Sequence, residues 1–141
     1  MSNEADLKSM YRQLRELLVL GSVSSLLGWD QQVMMPPKSA AFRGDQLELL
    51  STMLHDRLIA PEFVATVERL ASQLPKLAER DQINVRETVR IVRREQKLPA
   101  EFVARLSRAS SESYVAWAEA KPKDDWKAVK GHLKTLVDLS K

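Results

Sequence analysis

The stretch Leu26-Leu27-Gly28-Trp29-Asp30-Gln31-Gln32-Val33-Met34-Met35-Pro36-Pro37 sets the pattern of the whole chain, a helical run stopped by proline. Proline lacks the backbone donor and pushes the residue before it out of helical geometry, so Met35-Pro36-Pro37 must interrupt the helix. Upstream, over residues 4–28, Leu7, Met10, Tyr11, Leu14, Leu17 and Leu18 recur at three- and four-residue steps, which lays one apolar stripe along a helix. Asn3 can cap it, and Glu4 and Asp6 suit the positive end of its dipole. The small residues of Gly21-Ser22-Val23-Ser24-Ser25 and Gly28 predict a tight packing contact there with another helix or a loop.

The same grammar repeats downstream. A second helix carries Leu47, Leu50, Leu54 and Leu58 inward and ends before Pro61. Pro61 is well placed as the first residue of a third helix with Phe63, Val64, Val67, Leu70 and Leu74. Pro75 opens a fourth helix with Val85, Val89 and Val92 inward, and Pro99 a fifth with Phe102, Val103, Leu106, Tyr114 and Trp117. Lys123 or Asp124 starts the last helix, where Trp126, Val129, Leu133, Leu136 and Val137 recur. All six prolines fall at boundaries, no segment alternates like a strand, and no linker divides the chain, so the fold class is all-α, one bundle of about six helices over residues 1–141.

Composition narrows the chemistry. The 44% hydrophobic and 29% charged residues fit a globular, helix-rich chain, and the absence of Cys removes disulfides and thiolate metal sites and agrees with a cytoplasmic setting. The longest uncharged run, 17–29, is too short to cross a bilayer, so no membrane partner is expected. A catalytic zinc needs three protein ligands with an open position, whereas the two histidines stand in His55-Asp-Arg-Leu-Ile and His132-Leu-Lys-Thr-Leu. Neither follows a Glu by three residues, which removes the di-iron bundle signature. No nucleophile elbow and no phosphate-cradling glycine loop is present. The carboxylate pairs Glu79 with Asp81, and Asp124 with Asp125, read respectively as a solvated charged run and a helix amino-terminus. The stripe Arg86, Arg90, Arg93, Arg94 and Lys97 on the fourth helix leaves weak nucleic-acid binding as an alternative, against which stand the interleaved Glu87 and Glu95 and a net charge of only +3.

The segment from Leu26 to Pro37 resembles the opening of the thermostable carboxypeptidase Taq family of zinc metallocarboxypeptidases. After that Trp-Asp and Met-Pro, Ala40, Arg43 and Gln46 take the places of the family's Ala, Arg and Gln. Leu54-His55 with Arg57-Leu58, then Asn84, Arg86, Glu87, Arg93 and Arg94, and then Leu98-Pro99, Glu101, Ser110, Ala116-Trp117 and Ala120 extend the likeness over nearly the whole chain. Lys38-Ser39 departs from it, because family members often carry glycine there.

The resemblance implies helical enzymes that release carboxy-terminal amino acids with a metal, zinc or cobalt, held by a His-Glu-x-x-His helix and a later Glu. Neither motif occurs in this sequence, so the resemblance assigns it no cofactor and no catalytic or metal-binding residue. It implies instead a non-catalytic amino-terminal portion that walls and covers the substrate cleft. Trp29, Asp30, Met35, Pro36, Arg43 and Gln46 then border the cleft or hold the bend between two helices. On the latter reading Trp29 buries its ring beside the Met35-Pro36 turn and Asp30 accepts hydrogen bonds from backbone or from Arg43. Such a portion leaves apolar surface that a homo-oligomer or a catalytic-domain partner must cover. The alternative is a stand-alone helical oligomerisation or protein-interaction module.

Overall fold

A computed structural model describes residues 3–141. Its six α-helices are α1 (Asn3–Val33), α2 (Ala40–Leu58), α3 (Pro61–Ala71), α4 (Glu79–Glu95), α5 (Ala100–Ala120) and α6 (Trp126–Leu139). Short 3₁₀ turns at Pro37–Ser39, Leu74–Lys76 and Lys121–Lys123 punctuate them, and there is no strand among the described residues. The chain forms two compact units, Met1–Ser22 with Met53–Pro99 and Val23–Thr52 with Ala100–Lys141. α1 and α2 each contribute residues to both.

The first unit holds the main hydrophobic core. Phe63, Val67 and Leu70 lie on one face of α3 and pack with Met10 of α1, with Val85 and Val92 of α4, and with Leu77, an extended residue before α4. These steps of three, four and seven residues are those that the sequence displays. Pro61 opens α3, where its missing donor costs nothing. Pro75 does not open a helix. It lies inside the 3₁₀ turn, and the chain stays extended at Leu77 so that this side chain reaches the core, which delays α4 to Glu79.

Two polar clamps bind α1 to the other helices of this unit. Arg69 donates from Nε and Nη2 to the two carboxylate oxygens of Asp6, at 3.0 and 2.8 Å. Tyr11 donates its hydroxyl to Asp81 at 2.5 Å and accepts from the Asn84 amide at 2.9 Å, so Asp81 has a defined partner. Burial, set against the Asn84 bond, pushes the Tyr11 phenol above its usual range.

Asp6 is only 5% exposed, and its hydrogen bonds from Arg69 hold its carboxyl below the ordinary value of 3.8, against the opposing pull of desolvation. A depressed folded-state value means that the pair stabilises the fold above pH 3.8 and stops doing so as pH falls through the lower, folded value. Asp6→Asn is therefore expected to be less stable than the parent at neutral pH, with the difference shrinking progressively below that value. Urea titrations followed by circular dichroism at pH 7, 4 and 3 check this, and a difference that stays constant with pH would exclude the ion pair as its source.

The second unit is built differently. Among its described residues the only buried hydrophobic side chain is Ala120, while Leu47 and Leu50 of α2 and Phe102, Val103 and Leu106 of α5 are half-buried. α6 turns Val129, His132, Leu136 and Leu139 inward and leaves Trp126, Leu133 and Val137 exposed. It starts later than expected. Asp124 adopts a left-handed backbone at φ 51°, which aspartate tolerates better than most residues, and Asp125 caps the helix by accepting from Ala128 N–H at 3.2 Å.

The tight contact expected around Gly21 and Gly28 is not formed, since a Cβ built on either glycine meets nothing within 4 Å, and the same holds at Gly44 in α2. All are helical positions, where glycine costs about 0.5–1 kcal/mol relative to alanine. Gly28→Ala and Gly44→Ala are each expected to stabilise the protein by roughly that amount, read as a rise in urea midpoint at unchanged slope.

Candidate functional site

The family-like residues meet where α1 ends and α2 begins, inside the second unit. α1 carries no basic residue in its last turn, so the partial negative charge of its carboxy-terminus needs a cation from elsewhere. Arg43, in the first turn of α2, supplies it. Its Nη1 donates to the Leu27 carbonyl at 2.5 Å, its Nη2 to Asp30 Oδ2 at 2.6 Å, and its Nε to Gln46 Oε1 at 2.9 Å. The planar fork thus reads backbone, carboxylate and amide at once, an arrangement a lysine cannot copy. The Arg43 side chain is only 11% exposed, so these bonds are shielded from water. Beyond it, Met34 and Met35 both donate backbone N–H to the Asp30 carbonyl at 2.9 Å, which closes the helix before Pro36.

Three further links tie α5 to this corner. Gln31 donates to Ser111 Oγ at 2.9 Å, Ser51 pairs with Ser107 at 2.9 Å, and Arg108 donates to Asp45 at 2.6 Å and to Glu48. None of these was legible in the sequence, where the residues stand 56–80 positions apart without a shared motif.

Asp30, Arg43 and Gln46 come together. Met35 lies half-buried beside them in the chain, and exposed Pro36 leads into the turn at Pro37–Ser39. Asp124 is the only non-glycine residue with positive φ among the described residues, so Lys38 and Ser39 need no glycine. Trp29 departs from its structural expectation, for it is 56% exposed instead of buried against the turn. Its helix position points it off the corner that Arg43 fastens. Val23, Leu26, Trp29 and Val33 follow at three- and four-residue spacing on one face of α1, and Phe42 and Leu49 stand seven apart on α2, all of them exposed.

Among the described residues no group of three or more His, Asp or Glu side chains is placed to hold an ion. His55 is buried in the first unit with Nδ1 3.7 Å from Glu95 Oε2, beyond hydrogen-bonding distance, and neither ring nitrogen has a hydrogen-bond partner. His132 is half-buried on α6 in the second unit. No helix is long and apolar enough to cross a membrane among the described residues. On α4, Arg90, Arg93 and Arg94 pair with Glu87, Glu68 and Glu95, so much of the basic stripe is already neutralised.

This helix order is shared with solved carboxypeptidases. The BsuCP crystal structure matches with a TM-score of 0.92 at 19% identity, over 96% of this chain and 27% of that one, which establishes the fold. The structure of Pyrococcus furiosus carboxypeptidase matches with a TM-score of 0.73 at 34% identity, over 99% of this chain and 28% of that one. Thermostable carboxypeptidase 1 of Thermus thermophilus is 32% identical over 143 residues, covering 100% of this chain and 28% of its own length. The family model for carboxypeptidase Taq (M32) metallopeptidases matches residues 9–141, and the chain belongs to that family. It spans little more than a quarter of the length of these relatives.

Proposed function

We infer that the chain acts as one non-catalytic helical domain, corresponding to the amino-terminal, cleft-covering portion of a metallocarboxypeptidase. In the whole enzyme the parent activity is release of carboxy-terminal amino acids from peptides, with zinc or cobalt supplied through residues outside this sequence. The observation that carries the reading is the unfinished second unit. It exposes Val23, Leu26, Trp29 and Val33 on α1 and Phe42 and Leu49 on α2 while burying little apolar surface of its own. Exposed apolar surface of this kind marks a docking face.

In the cytoplasm that face meets a catalytic-domain partner or a second copy of the chain. A stand-alone interaction module would use the same residues, whereas the α4 stripe, with its arginines paired, offers nucleic acid little. Purified chain is therefore expected to self-associate at micromolar concentration, and light scattering should give at least twice 16.0 kDa. Leu26→Glu with Phe42→Glu should return a helical monomer. A parent chain that is already monomeric would contradict the need for cover.

A further inference from the structure

The corner between α5 and α6 carries a groove of about 270 Å³ that lies wholly within the second unit. The local sequence shapes it. Pro122 sits in the 3₁₀ turn Lys121–Lys123, Asp124 takes the left-handed backbone that reverses the chain, and Asp125 caps α6. Trp117 and Ala120 stand one turn apart on α5, and Trp126 and Val129 one turn apart on α6, so these four make the apolar walls. Tyr114 braces the Trp117 ring, with centroids 6.0 Å apart. Both indoles are exposed.

The ionisable groups of the lining are Asp124, Asp125 and Lys121. Lys121 lays its ammonium over the Trp117 ring, 4.6 Å from the centroid, and forms no ion pair with either aspartate. Asp125 accepts from Ala128 N–H through Oδ1, which meets the positive end of α6 and leaves Oδ2 without a hydrogen bond. The Asp124 side chain has neither a hydrogen bond nor an ion pair among the described residues. An unspent carboxylate thus stands beside the unspent indole of Trp126, while the chain's own Lys121 shows a cation seated on the other indole.

We propose that this groove is a docking site for an arginine side chain presented by a protein partner. The guanidinium lies against the Trp126 indole and donates to the Asp124 carboxylate and to Oδ2 of Asp125. Charge sets the sign of the occupant, because two carboxylates against one ammonium leave a net negative lining that favours a cation over a neutral or acidic side chain. Chemistry sets the residue. A guanidinium is planar and weakly hydrated, so its face stacks on an indole while its edge donates to carboxylates, whereas an ammonium addresses one surface at a time. Lys123, Lys127 and Lys130 carry no ion pair among the described residues and lie outside the lining, where they oppose a run of basic residues. The partner therefore brings a single arginine in a segment that is not otherwise basic. The site shares no residue with the α1–α2 face, so failure of one leaves the other standing.

All three tryptophans, at 29, 117 and 126, belong to the second unit, which makes indole fluorescence a direct readout, with calorimetry for the tryptophan variant. The probe is the blocked peptide acetyl-Gly-Ser-Arg-Ser-Gly-amide, titrated to millimolar concentration, with its arginine replaced in turn by citrulline and by lysine. Saturable binding of the arginine peptide is expected. The citrulline peptide, which keeps the shape and loses the charge, should bind about tenfold more weakly, and the lysine peptide about threefold more weakly. Asp124→Asn keeps a residue that tolerates left-handed backbone, and it and Trp126→Ala should each weaken binding about fivefold or more with helicity unchanged. Asp124→Asn decides alone if Trp126→Ala does not fold. Lys121→Gln removes the groove's own cation and should tighten binding about twofold or more. Asp56→Asn makes the same change in net charge as Asp124→Asn at an exposed position of the first unit, and it should leave binding unchanged. Absence of saturable binding, equal binding of the citrulline or lysine peptide, an equal loss in Asp56→Asn, or looser binding after Lys121→Gln would each overturn the site.

Discussion

Arg43→Ala is expected to lower the stability of the second unit by roughly 2–3 kcal/mol. The guanidinium makes three hydrogen bonds from a site 11% exposed, and its removal leaves the Asp30 carboxylate and the Leu27 carbonyl without this donor at the end of α1. A fully buried pair would cost more. Asp30 is 34% exposed, however, and water re-solvates part of it. Arg43→Lys should recover little, since one ammonium cannot address carbonyl, carboxylate and amide together. Urea denaturation followed by tryptophan fluorescence reports on the second unit specifically. A loss under 0.5 kcal/mol, the scale of an ordinary surface substitution, would mean that the corner is held by the α5 links instead.

Phe63→Ala is expected to cost about 3–5 kcal/mol and to fall on the first unit. Phe63 is 0% exposed and heads the cluster of Met10, Val67, Leu70, Val85 and Val92. The cost joins the lost transfer free energy of the ring to a cavity that helices fixed on several sides cannot fully close. Phe63→Leu keeps most of the volume and should lose about 1.5 kcal/mol or less. Amide exchange in α3 and α4 is the measurement, because the first unit contains no tryptophan. Exchange accelerated equally in α6 would show that the two units unfold together.

The helices were legible because breakers and periodicity agree, as at Pro61 followed by Phe63, Val67 and Leu70. Pro75 misled because proline at a first position opens a helix only if the following residues continue it, and Leu77 is drawn into the core in an extended conformation. Arg43 with Asp30 could be paired from the sequence because thirteen residues spanning one proline turn bring two helix ends together. Trp29 could not be placed in the same way. Spacing tells which residues share a helix face but not whether anything covers that face, and the face that carries Leu26, Trp29 and Val33 stays exposed. Gly21 and Gly28 failed for the same reason, and His55 gave no signal because a single histidine on a helix does not reveal its burial.

The central proposal is that this chain belongs to the part of a carboxypeptidase that supports the chemistry without performing it. The direct measurement is release of free carboxy-terminal amino acid from a peptide by the purified chain, with added zinc or cobalt. The expected result is no release above the metal-only blank. Metal-dependent turnover that disappears in His55→Ala or His132→Ala would contradict the claim.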